Sequence, residues 1–135
     1  MLELIGLTVS YAAVGLAILA AGFYVLDLLT PGKLGHQVMD GNQNAALLAA
    51  SSLISLGLVL WFAIFFTGAG WDGLDNAAVF GALGVIVQAV GFAVLDVVTP
   101  GRLGDICRGK ELHPATKVAA AIHVATALVI SASLT

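Results

Sequence analysis

The chain has 135 residues, of which 60% are apolar and 10% charged, with a net charge of −3 and a mean hydropathy of +1.06. So little polar surface cannot cover a water-soluble globule, and an acidic balance without a basic stripe excludes a nucleic-acid partner. The composition is that of a chain dissolved in a bilayer.

Four uncharged runs follow one another, at residues 4–26, 41–71, 76–95 and 118–135. A bilayer core of about 30 Å needs roughly 20 helical residues, so each run predicts one crossing and the four use nearly the whole chain. Barrel strands would alternate apolar and polar residues, whereas these runs are continuous, and none carries the charged face of a soluble bundle helix. The expected fold is all-α: an integral membrane protein with four transmembrane helices. No Lys or Arg precedes Lys33, so the basic start of a cleaved signal peptide is missing and the first helix is expected to be retained.

The first crossing runs into Gly22-Phe-Tyr-Val-Leu-Asp-Leu-Leu-Thr-Pro-Gly-Lys-Leu-Gly35, and 69 positions later the third runs into Gly91-Phe-Ala-Val-Leu-Asp-Val-Val-Thr-Pro-Gly-Arg-Leu-Gly104. Ten of the fourteen positions are identical, and the same shift pairs Gly15 with Gly84. The sequence therefore reads as two tandem copies of a helical hairpin, residues 1–69 and 70–135, within one membrane domain. Each copy holds two crossings, so both run in the same direction and place their Thr-Pro-Gly loops on one face, unlike the inverted repeats of many transporters.

In those loops, Thr30, Pro31, Gly32 and Lys33 in the first copy and Thr99, Pro100, Gly101 and Arg102 in the second stop their helices. Proline lacks a backbone donor and biases its predecessor away from the helical region, and glycine tolerates the turn. Leu34 and Leu103 are expected at the interface, followed by polar connectors over 36–44 and 105–116, with a short interfacial helix allowed and Pro114 in the first turn of the last crossing. Lys33, Arg102, Arg108, Lys110 and Lys117 lie in or beside these loops, while the central turn 68–76 holds only Asp72 and Asp75. The positive-inside rule makes the loops cytoplasmic and puts both termini on the other side. Trp61, Trp71, Phe62, Phe65 and Phe66 mark the outer boundary as an aromatic belt, and the glycines and serines of the crossings predict close helix packing.

Few residues carry chemistry. Asp27 and Asp96 share a repeat position one turn before the proline, where a carboxylate meets the negative end of the helix dipole. Two readings are open: each pairs with Lys33 or Arg102 at interface depth, or both point inward as a paired acidic site for a proton or cation. Gln88, whose repeat counterpart is Leu19, either bonds across helices or lines a pathway, and His123, the one histidine within a crossing, either bonds a neighbouring helix or relays protons. Cys107 is the only cysteine, so no disulfide forms within the chain, and it reads as a reduced, small packing residue. His36, His113 and His123 have no metal-ligand spacing, no cofactor motif is present, and no nucleophile and base assemble in a legible order, so no metal, cofactor or enzyme is expected.

The Asp-x-x-Thr-Pro-Gly loops after the first and third crossings, the duplicated hairpin, and the opening Gly41-Asn-Gln-Asn-Ala-Ala-Leu47 of the second crossing together resemble the DUF350 family of bacterial and archaeal membrane proteins, also called UPF0719. The resemblance covers essentially the whole chain and implies four crossings in a bacterial or archaeal inner membrane. It also draws in Asn44 as a candidate lining residue. The second copy departs from it, with His113-Pro-Ala-Thr-Lys117 at the corresponding place, so a site using Asn44 would be asymmetric. Two functions follow as expectations. One is a small cation or proton channel or transporter subunit using Asp27, Asp96, Gln88, Asn44 and His123, completed as a homo-oligomer in the lipid bilayer. The other is a non-catalytic scaffold or accessory subunit that docks a partner protein through its cytoplasmic loops.

Overall fold

A computed structural model describes residues 1–30, 33–67, 70–98, 109 and 111–135. Among the described residues five helices follow in chain order: α1 (Leu2–Leu29), α2 (Leu34–Met39), α3 (Gln43–Thr67), α4 (Asp72–Val98) and α5 (Pro114–Ser133). The fold is all-α, and α1, α3, α4 and α5 are each long and apolar enough to cross a membrane. With 28, 25, 27 and 20 residues they reach about 42, 38, 40 and 30 Å at 1.5 Å per residue. Only α5 matches the hydrocarbon core closely; the others extend beyond it or tilt.

Local chemistry sets most of the helix ends. Thr30 precedes proline and takes the extended conformation expected there (φ −90°, ψ 122°), and its N–H and hydroxyl both donate to Leu26 O, at 3.0 and 2.8 Å. Asn42 Oδ1 accepts Ala45 N–H at 3.1 Å to cap α3, and Gly41 before it supplies a positive φ of 82°. At the start of α5, His113 is the N-cap: its ring Nδ1 accepts Ala115 N–H at 3.1 Å and Pro114 follows in the first turn, as expected. The fourth helical start differs from expectation. α4 opens at Asp72 rather than near residue 76, because Asp72 and Asp75, which read as turn residues, instead sit on the positive end of the helix dipole.

The transmembrane helices pack with α3 and α4 on the short diagonal: α3 touches α1, α4 and most extensively α5, while α4 also meets α1 and α5. Chain direction makes α1 and α4 run parallel, and likewise α3 and α5. The short helix α2 folds back onto α3 and α1. Its first residue, Leu34, is fully buried and packs in a cluster with Leu26, Leu48, Phe92 and Ala119, so it belongs to the core and not to the interface. Pro31, Gly32, Thr99, Pro100, Gly101, Arg102, Leu103, Cys107, Arg108 and Lys110 lie outside the described residues.

Glycines allow the closest approaches, but only some of them. A Cβ on Gly22 would collide with Leu56, one on Gly81 would meet Ile18 and Leu60 at 3.0 Å, and one on Gly84 would touch Leu56 and Val59 at 3.4 Å. Gly15, Gly57 and Gly91 face open space instead, so their expected role in packing is not met within one chain. Trp61, Phe65, Phe66 and Trp71 are exposed, and Trp61 stacks on Phe65 at 5.2 Å between centroids near the end of α3 remote from α2.

Lys33 stands out in the backbone with φ 61°, a positive value that side chains other than glycine disfavour. Lys33→Gly is expected to relieve strain of about 1 kcal/mol, offset by roughly 0.5–1 kcal/mol of extra freedom in the unfolded chain. Its unfolding free energy in mixed micelles should therefore match the native value within about 0.5 kcal/mol. A larger loss would show that the lysine side chain itself holds the turn.

Candidate functional site in the polar interior

Most of the described bundle surface that faces inward is aliphatic or small, yet one layer is polar. The buried stripe of α5 reads Thr116, Ala119, Ala120, His123, Ala127 and Ser131, and α3 turns Ser51, Ser52 and Ser55 inward against it and against Gln88 of α4. Ser51 and His123 each lie about 12–14 Å along their helices from the α2 side, close to the middle of a core of about 30 Å. At that depth bulk water is absent, so each polar group must find a partner or bear a desolvation cost.

Two cross-helix bonds form in this layer. Ser52 donates to Gln88 Oε1 at 2.8 Å, tying α3 to α4, and the Ser51 hydroxyl lies 3.3 Å from His123 Nδ1, tying α3 to α5. Ser51 also lies 2.9 Å from Leu48 O, the shorter contact, and the hydroxyl proton belongs there. Nδ1–H of His123 is then the donor to Ser51, and Nε2 is left as a bare acceptor; this tautomer is assigned from the network. Among the described residues His123 Nε2, Gln88 Nε2 and Ser55 Oγ in this layer are buried without a hydrogen-bond partner, as is Ser131 Oγ about 12 Å further along α5. The layer thus holds acceptors and donors together: a basic nitrogen, an amide donor and rotatable hydroxyls, the ingredients of a proton or cation path.

Beside Gln88, a crevice of about 10 Å³ is bounded by Gly22, Leu26, Ser52 and Val85. That volume is near the minimum for one water, and Ser52 and Gln88 offer it polar contacts.

The candidate residues separate in space. Gln88 and His123 stand in the polar layer, each with a cross-helix bond, one of the two readings open for it. Asn44 does not: its fully buried side chain donates to Gly109 O and Glu111 O, at 2.8 and 2.6 Å, and accepts His113 N–H at 2.8 Å. Every one of these bonds goes to the backbone leading into α5, which makes Asn44 a latch between the starts of α3 and α5. Asp27 is half-buried near the end of α1, where Oδ1 accepts Gly35 N–H at 2.9 Å, and among the described residues no ion pair joins it to Lys33. It faces a groove between α1, α2 and α3 whose wall does not include Asp96. Asp96, half-buried at the matching depth of α4, has a partner of its own. In the sequence Ser51, Ser52 and Ser55 read only as packing residues; their spacing, which turns all three toward one side of α3, is the available signal.

Comparison with known proteins agrees with this architecture. A family model described as Domain of Unknown Function (DUF350) matches residues 1–134. A UPF0719 transmembrane protein of Mycolicibacterium paratuberculosis is 37% identical over 130 residues, covering 94% of this chain and 85% of the relative. Two more, from Mycobacterium bovis and Mycobacterium tuberculosis, are each 39% identical over 129 residues, with the same coverage of 94% and 85%. No solved structure matches the chain.

Proposed function

Because the chain belongs to the DUF350 family of small transmembrane proteins, also named UPF0719, and buries an under-partnered polar layer at mid-membrane, we propose that it is a proton- or cation-conducting subunit. The observation that carries this reading is the buried Nε2 of His123 without a partner, about two and a half helical turns inside the bundle. Most buried polar side-chain atoms have a hydrogen-bond partner, so this bare ring nitrogen is a free acceptor for a proton. In this reading His123 takes and releases the proton at Nε2, while Ser51 holds the ring. Gln88 and Ser55 line the path, and Asp96 is the carboxylate at its entrance. The protein is not an enzyme in this account, and it works as a homo-oligomer in a bacterial or archaeal inner membrane. Lys33 and Lys117 lie on the α2 side while Asp72 and Asp75 lie on the opposite side, which supports a cytoplasmic position for α2.

The test is proton flux into liposomes holding purified protein, driven by a potassium diffusion potential and read with an enclosed pH dye. His123→Asn keeps a hydrogen-bonding group for Ser51 but has no titrating nitrogen. It should fold as judged by circular dichroism and size-exclusion chromatography, and its flux should fall to that of protein-free liposomes. Native protein without flux, or a folded His123→Asn variant that conducts like native, sinks the proposal.

A second reading, an accessory subunit that docks another membrane chain, is favoured by the open notches at Gly15, Gly57 and Gly91. Here Gly15→Leu should shift the size-exclusion profile in mild detergent toward a smaller species while leaving helix content unchanged. An unchanged profile would remove Gly15 from any helix contact between chains.

A further inference from the structure

The groove that Asp27 faces is separate from the polar layer and has a distinct chemistry. It encloses about 720 Å³ between α1, α2 and α3. From Leu16 through Leu19, Ala20 and Phe23 its floor on α1 is apolar, and Leu53 of α3 closes the far side. Its other end is polar: Asp27, Lys33 and His36 stand around the mouth with Tyr24 beside them. From Leu16 to Asp27 the groove runs about 17 Å along the helix, against about 15 Å for one leaflet of the hydrocarbon core. An apolar trench one leaflet deep, ending in charged groups at headgroup depth, has the dimensions and polarity profile of a lipid.

We propose that this groove is a binding site for a phospholipid with a primary-amine zwitterionic headgroup, of the phosphatidylethanolamine class, from the leaflet on the α2 side. One acyl chain lies along Leu16, Leu19, Ala20 and Phe23 against Leu53. The headgroup phosphate is held by the Lys33 ammonium and the His36 ring, and its ammonium donates to the Asp27 carboxylate. Asp27 has capacity for this, since it accepts one backbone N–H from Gly35 and a carboxylate has about four acceptor positions. Opposite charges at one mouth are the argument for a zwitterion: an anionic headgroup would be attracted by Lys33 and repelled by Asp27. A choline headgroup carries the same charges but no N–H to give, so it would lose the bond to Asp27.

This site does not depend on the proton reading, and its test has its own readout. Purified full-length protein is examined by native mass spectrometry after exposure to phosphatidylethanolamine, phosphatidylcholine and phosphatidylglycerol of matched acyl chains. The expected result is preferential retention of phosphatidylethanolamine. The preference should be lost in Asp27→Asn, which keeps an acceptor oxygen for Gly35 N–H, and retention of all three phospholipids should weaken in Lys33→Gly. Lys33→Gly removes the charge at a backbone position suited to glycine, and both variants are checked for native helix content. Equal retention of the three lipids would mean ordinary boundary lipid and overturn the proposal. So would a preference for phosphatidylglycerol, or an ethanolamine preference unchanged in both folded variants.

Discussion

Truncating Asn44 to alanine is expected to destabilise the protein by about 3 kcal/mol, at three backbone bonds of roughly 1 kcal/mol each. The side chain is fully buried and holds Gly109 O, Glu111 O and His113 N–H at once, the last of these at the N-cap of α5. Alanine leaves two carbonyls and one N–H to find water at the membrane surface, and it frees the start of α5 from α3. Asn44→Asp separates the roles: the carboxylate still accepts His113 N–H but offers no proton to the two carbonyl oxygens and places a negative charge beside them. It should be no better than alanine. Reversible unfolding in mixed micelles measures both, and a loss below about 0.5 kcal/mol in Asn44→Ala would mean that the latch contributes little beyond what water supplies. A side chain that instead lined a conduction path would alter flux without this loss of stability.

Gly22→Leu is expected to cost about 2 kcal/mol, within the usual range for forcing extra methylenes into a packed site. Even a Cβ at Gly22 would strike Leu56, itself fully buried, and would come within 3.5 Å of Val85 on α4. In a bilayer the helices gain little from hiding apolar surface, since lipid tails are equally apolar. Close packing is the main attraction, and pushing α1 away from α3 and α4 forfeits it. The same substitution at Gly15 supplies the control. Both sites gain roughly the same helix propensity, just under 1 kcal/mol, but Gly15 has nothing within 4 Å of its Cβ position. Monomeric Gly15→Leu should therefore be as stable as native or slightly more so. If the two variants unfold alike in mixed micelles, glycine at residue 22 is not a contact point.

The crossings, their number and the stop of α1 at Thr30 were determined by sequence alone, because the physics that sets them is local or one-dimensional. A run of about 20 apolar residues suits the bilayer whatever its neighbours do, and Thr30 before proline must leave the helix. Pro114 at the first turn of α5 follows in the same way. The start of α4 was misplaced because aspartate suits both a turn and a helical first turn, and composition cannot choose between them.

Rotation and pairing of the helices were decided only by tertiary structure. In a soluble helix the charged face reveals which side is inward, but a crossing that is apolar all round gives no such mark. So the sequence could name His123 and Gln88 without pairing them with Ser51 and Ser52, and could align Asp27 with Asp96 without showing that Asp27 turns to a groove bounded by α2. The same holds for Gly22 and Gly15, chemically identical on one helix, of which only Gly22 meets a neighbour. Leu34 is buried for this reason too: α2 folds back on α3, a choice made by the shape of the assembled bundle and not by the residues of α2 themselves.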